Sequence, residues 1–160
     1  DVEGVFDDKV FTIPELSAKD LDGLIVLGGR GSLTILSDFA KKEENAQVNP
    51  QFMEMVRAFT IRKKPIGLLG YATVPVVLSM KKIENSPIVS CGGDPRIQDI
   101  LESLGAMVIN TTADNVVIDE ENLLFSSHGI VPASSIYRAS LGIEQVVNAL
   151  VETVLEKNKK

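Results

Sequence analysis

Apolar residues fall along this chain in two alternating patterns. The continuous run Leu24-Ile25-Val26-Leu27 reads as a strand covered on both faces, because a half-exposed strand would alternate with polar residues, and 66–69 and 88–91 read as further short strands. Between them, Phe52, Met55, Val56 and Phe59, and later Ile97, Ile100, Leu101 and Leu104, recur at the spacing of one helix face. Both helical segments open with the same device, Asn49-Pro50 and Asp94-Pro95: a side chain able to cap the first turn, then a proline where no N–H is needed. The first helix is expected to stop near 62–64, ahead of Pro65. The second is expected to stop at Gly105 in a left-handed C-cap.

Shorter helices are expected over 33–40, followed by a polar loop at 41–48, and over 73–80 with Pro75 in the first turn. Residues 106–109, 116–118 and 123–126 read as further strands, the last two joined by a turn at 119–122. A helix over 132–155 is expected to bury Ile136, Ile143, Val146, Val147, Leu150 and Val154. Strand alternates with helix at least three times, which predicts an α/β fold: a parallel sheet with helices on both faces. Residues 1–19 lack a clean period and read as an N-terminal arm with one short strand near 10–12. Residues 20–160 form a single domain.

Open α/β sheets bind ligands beyond the carboxyl ends of their strands. Four small-residue segments occupy such places: 28–32, 70–73, 91–94 and 126–129. In the first, Gly28, Gly29 and Gly31 could present backbone N–H groups to an anion or oxyanion. The spacing is neither that of a dinucleotide fold nor of a lysine-bearing phosphate loop. Glycines that simply permit a tight turn are the plainer alternative.

Composition narrows the classes. With 16 Lys and Arg against 22 Asp and Glu, the net charge of −6 argues against a nucleic-acid surface. The basic runs at 62–64 and 157–160 fall at helix ends, where cations complement the dipole. One cysteine, Cys91, excludes an internal disulfide and suits a reducing compartment. No apolar run approaches the roughly 20 residues of a membrane span, so direct membrane insertion is not expected. One histidine, one cysteine and scattered carboxylates make no zinc-like set, and neither metal nor cofactor is expected. The acidic runs Asp7-Asp8, Glu43-Glu44 and Asp119-Glu120-Glu121 are expected to be solvated loops, not calcium sites.

Three segments, LDGLIVLGGRGSLTILSDFA at 21–40, VNPQFMEMVRAFTIRKKPIGLLGYATVPVVL at 48–78 and VIDEENLLFSS at 117–127, carry a family likeness. In order and spacing they resemble the PfpI-type, class I glutamine-amidotransferase-like proteins, and within them the ElbB-like or isoprenoid-biosynthesis-like branch. Leu36, Ser37, Phe39, Ala40, Val48, Asn49, Lys64, Pro65, Ile66 and Gly67 match the branch pattern. The likeness covers the chain from about Asp20 onward and implies a flavodoxin-like sheet. It also implies a reactive cysteine at a sharp strand-to-helix turn, where a helix N-terminus stabilises a thiolate.

Counting along the motif puts that position at Gly70, so the resemblance implies a lost nucleophile and no catalytic residue. Tyr71 and Thr73 follow, but a hydroxyl there would need an adjacent base. His128 stands in Ser126-Ser127-His128-Gly129, where the family typically reads Thr-Pro-Ala, and reads as a hydrogen-bonded structural residue. Cys91 reads as a buried small hydrophobe. Family members also carry an N-terminal strand–helix–strand portion that supplies a glutamate. Nothing in 1–19 reads as that portion, and neither Glu3 nor Glu15 lies in a matching motif. The portion is therefore expected to be unrepresented here or replaced by another chain.

Together these features point to a catalytically inactive structural or interaction subunit of a larger assembly; the resemblance implies a homo- or hetero-oligomer in the mitochondrial matrix, with the cytoplasm as the alternative location. Two other functions stay open: a glyoxalase- or amide-hydrolase-type enzyme with a relocated site using Cys91 or Tyr71 with His128, and a small-anion metabolite binder at the glycine loop.

Overall fold

The computed structural model describes residues 11–129 and 135–159. Its strands are β1 (Leu24–Val26), β2 (Ile66–Leu69), β3 (Ile88–Val89), β4 (Met107–Val108), β5 (Val117–Asp119) and β6 (Leu124–Ser127). Its helices are α1 (Arg30–Thr34), α2 (Phe39–Lys42), α3 (Pro50–Ile61), α4 (Thr73–Lys81), α5 (Pro95–Ser103) and α6 (Ile136–Lys157). The main sheet has the order β1-β2-β6-β5, parallel except for β5, which runs antiparallel to β6 as the far arm of the expected hairpin. β3 and β4 form a separate parallel pair.

Helices cover both faces. Alternate residues of a strand point to opposite sides, and in β2 Ile66 and Leu68 join the core shared by α3, α4 and α5, whereas Leu69 joins Phe125, Val146 and Leu150 under α6. The absence of a side chain at Gly67 lets α6 approach closely: a β-carbon there would fall 2.9 Å from Cγ1 of Val146. α3 buries Phe52, Met55, Val56 and Phe59 as its spacing predicts, and the Asn49 side chain accepts from the N–H groups of Gln51 and Phe52. Asp94 caps α5 in the same way, through Arg96 and Ile97. α4 has no polar face over residues 73–80, all of which are buried, so it lies inside the molecule and not on it.

Several expectations need correction. The run at 24–27 is not covered on both faces: β1 is an edge strand, with Ile25 37% and Leu27 70% exposed, and no strand pairs with its outer side among the described residues. The helix expected over 33–40 is two short helices, because 36–38 runs extended and pairs with 47–49. Ser37 bridges Val48, Asp38 N–H donates to Gln47 O, and Asn49 N–H donates to Leu36 O. The loop that follows contains a tight helical turn, Glu43–Asn45. β3 and β4 are shorter than expected. Beyond Val89 the backbone turns to side-chain partners: Ser90 N–H donates to Ser126 Oγ and Ser90 O accepts from Thr73 Oγ1.

α6 begins at Ile136, and 132–134 lie outside the described residues. Its buried stripe is Ala139, Gly142, Val146 and Leu150, which leaves Ile136 exposed and Val147 at the edge. No strand forms at 11–12, and residue 10 lies outside the described residues. Instead a short turn, Ile13–Glu15, packs Ile13 against the core. Asp119 is buried and not solvated; its carboxylate accepts from Ile88 N–H, Asn122 N–H and the Asn122 side chain, pinning β3 to the hairpin.

Candidate functional site

The ends of β1, β2 and β6 converge with the turn after β3. β2 runs into Gly70, whose φ of +57° lies in the left-handed region, and a tight turn, Gly70–Ala72, leads straight into α4. This is the strand-to-helix bend that the motif count placed at residue 70. Only glycine takes that backbone without strain. A β-carbon built there would meet one group within 4 Å, the carbonyl of His128, with its oxygen at 3.0 Å. The 128–129 backbone therefore lies across the bend, and a β-carbon at Gly129 would sit 3.1 Å from Gly70 N.

Gly28 is explained by packing. A β-carbon there would fall 1.9 Å from Leu69 O and 2.8 Å from Tyr71 N, so no other residue lets the two strand ends pass. Gly29 has nothing within 4 Å of its β-carbon position and faces open space. Gly31 lies within α1, where its carbonyl accepts from the N–H groups of Ile35 and Leu36. Between these strand ends is a cavity of about 410 Å³ lined by Leu27, the Gly28-Gly29 backbone, Leu69, Gly70, Tyr71, Gly129 and Ile143. Its walls are aliphatic side chains and bare backbone. Among the described residues Tyr71 is the one titratable residue on it, and none of them brings a carboxylate, imidazole or thiol to the cavity.

The remaining candidates sit close by but do not assemble. The Thr73 hydroxyl is fully buried, 3.0 Å from both Gly70 O and Ser90 O, and serves to tie the bend to β3. Cys91 is 2% exposed; burial pushes its thiol pKa up, with the Gly93 N–H opposing that only in part. A protonated, enclosed thiol is a poor nucleophile. His128 is 8% exposed and packs against the turn after Cys91, with Cε1 3.9 Å from a β-carbon position at Gly93. Burial lowers its pKa. Contrary to the hydrogen-bonded role expected, its Nε2 is buried with no partner among the described residues. A neutral ring protonated on Nδ1 leaves only an acceptor lone pair unmatched there, a smaller cost than an orphaned donor or charge. No hydrogen bond joins Cys91, Tyr71 and His128 side chains among the described residues, and no cluster of three His, Cys, Asp or Glu that could hold a metal occurs among them.

Sequence reasoning missed the part played by Lys64. Its ammonium reaches back to the carbonyls of Ala18 (2.9 Å), Lys19 (3.2 Å) and Leu21 (2.5 Å), fastening the entry to β1 at the start of β2. The matched Lys-Pro-Ile-Gly run had marked the position without giving it a task.

No family model matches the chain. It is 26% identical, over 95% of its length, to the ES1 protein homolog, mitochondrial, of Rattus norvegicus, and spans 58% of that protein. Among solved structures it is similar to an isoprenoid biosynthesis protein with an amidotransferase-like domain from Ehrlichia chaffeensis, at a TM-score of 0.77 and 26% identity. That match covers 88% of this chain and 63% of the other. Drosophila melanogaster DJ-1beta shares the fold at a TM-score of 0.57 and 14% identity, over 92% of this chain and 67% of its own. The chain thus spans about three fifths of the first two relatives. In its mainly parallel sheet and flanking helices the chain is similar to these amidotransferase-like and DJ-1 proteins.

Proposed function

We propose that the chain is a catalytically inactive amidotransferase-like subunit that works by associating with protein. The observation that carries this reading is Gly70. The bend that would aim a reactive side chain holds bare backbone, and the His128 carbonyl stands where a β-carbon would point. In this reading Gly70 stands in place of the superfamily's cysteine.

An interaction role draws support from the open side of the sheet. Among the described residues β1 has an unpaired outer edge, and such edges invite pairing with another chain. Ile25 packs beside Val146 and Leu150 above Gly67, and Leu27 shares a cavity with Ile143, so the exposed apolar residues of β1 adjoin α6. Along α6, Val147, Val151 and Leu155 continue the exposed apolar row at i, i+4 and i+8. A homo- or hetero-oligomer completed along this edge suits that surface. The likeness to a rat protein named mitochondrial supports a mitochondrial location.

Sedimentation velocity on the chain and on a Leu27→Lys variant tests the interaction role. Self-association that the lysine weakens is the expected result. A single monomeric species that neither self-associates nor changes with the substitution would overturn it. The second reading, a small-anion binder at Gly28, Gly29 and Gly31, rests on the 410 Å³ cavity, although the aliphatic side chains of Leu27, Leu69 and Ile143 line much of it.

A further inference from the structure

Tyr71 also lines a second cavity, of about 300 Å³, between the α1–α2 segment and the start of α5. Phe39, Ile97 and Ile100 give it an apolar lining, and Arg30, Arg96, Glu43 and Asp94 give it charge. The two arginines and two carboxylates make the lining formally neutral, but the four are not all paired with one another. The Asp94 carboxylate is committed to the first turn of α5, accepting from Arg96 N–H at 3.1 Å and Ile97 N–H at 3.4 Å. Glu43 is committed to Arg96, with which its side chain forms an ion pair. It does so from a left-handed backbone, φ +49°, that a non-glycine residue adopts only under strain. Arg30 has neither an ion pair nor a side-chain hydrogen bond among the described residues. One guanidinium on an apolar-lined cavity is left without a direct ion-pair partner among the described residues.

We propose that this cleft binds a monocarboxylate with an apolar body, an aryl- or alkyl-carboxylic acid. The carboxylate pairs with Arg30, whose planar fork suits two parallel hydrogen bonds. The apolar body lies along Phe39, Ile97 and Ile100 beside Tyr71. A phosphate dianion fits less well, since one unpaired guanidinium is present and the carboxylates of Glu43 and Asp94 border the site. The volume sits at the small end of the roughly 300–1,000 Å³ range of ligand sites, which suits a metabolite-sized acid and not a peptide. This proposal stands apart from the inert-subunit reading, because neither arginine belongs to the bend at Gly70.

Calorimetric titration of the whole chain with 3-phenylpropionate, with its neutral amide 3-phenylpropanamide, and of an Arg30→Gln variant with the acid tests the site. Saturable binding of the acid is expected, weakened about tenfold or more by Arg30→Gln and by conversion to the amide, as loss of a charge-assisted pair implies. Arg30 is exposed, so the variant should keep the wild-type urea midpoint, and a shared midpoint shows that the loss is local. Failure of the acid to bind saturably, equal binding of acid and amide, or an unchanged affinity in Arg30→Gln would each overturn the proposal.

Discussion

The carbonyl oxygen of His128 stands 3.0 Å from the place a β-carbon at Gly70 would occupy. Two penalties therefore meet any side chain at residue 70: a left-handed backbone, about 1–2 kcal/mol for a non-glycine residue, and a contact that forces the carbonyl to shift. We expect Gly70→Cys and Gly70→Ala to lose about 1–3 kcal/mol of unfolding free energy, read from urea denaturation. A cysteine variant as stable as the parent would contradict the bend geometry.

His128 sets a pH dependence whose sign follows from its burial. Its pKa in the folded chain lies below the ordinary value of 6.5, so the unfolded chain binds the proton more readily. The contribution of a neutral, enclosed His128 is fully present above about pH 6.5. It fades as the pH falls through that value toward the lower folded-state pKa. Comparing urea midpoints of the parent and His128→Asn from pH 8 to pH 5 isolates this group from the carboxylates, which titrate lower. The gap between the two proteins should shift in favour of His128→Asn as the solution is acidified. A gap that stays constant would show that the ring is not buried as described.

Lys64 fastens 18–21 to the start of β2 with a charged donor and three carbonyls. Replacing it by methionine keeps the stem but leaves those acceptors unmatched. We expect Lys64→Met to lower stability by about 1–3 kcal/mol and to speed limited proteolysis between residues 11 and 21. Unchanged cleavage there would assign the lysine to solvent.

Much of this architecture was legible because local chemistry and global fold agree. Asn49-Pro50 and Asp94-Pro95 start helices where their capping geometry requires, and the 52–59 stripe faces the core. Pattern failed where tertiary partners decide. The apolar run at 24–27 looks doubly covered, yet β1 is an open edge, and sequence periodicity cannot tell whether a neighbour strand is present. Leu33 to Ala40 looks helical, yet Ser37 and Asp38 are drawn into pairing with Gln47 and Val48.

Asp119 sits in an acidic run that reads as surface, but it is buried and its carboxylate finds three donors from residues near and far. At the candidate site, residue 70 was found by motif spacing. The burial of Cys91 was legible in its apolar strand, whereas the unmatched Nε2 of His128 depends on chain segments far apart in sequence. So does the lone guanidinium of Arg30, which faces α5 across the second cavity.

The most direct test is turnover. Methylglyoxal consumption and glutamine hydrolysis should be followed for the parent chain, Cys91→Ser and His128→Asn, each at equal concentration beside a protein-free blank. An empty bend gives three proteins indistinguishable from the blank. Turnover by the parent that Cys91→Ser or His128→Asn abolishes would reveal a working thiol or imidazole and contradict the inert reading.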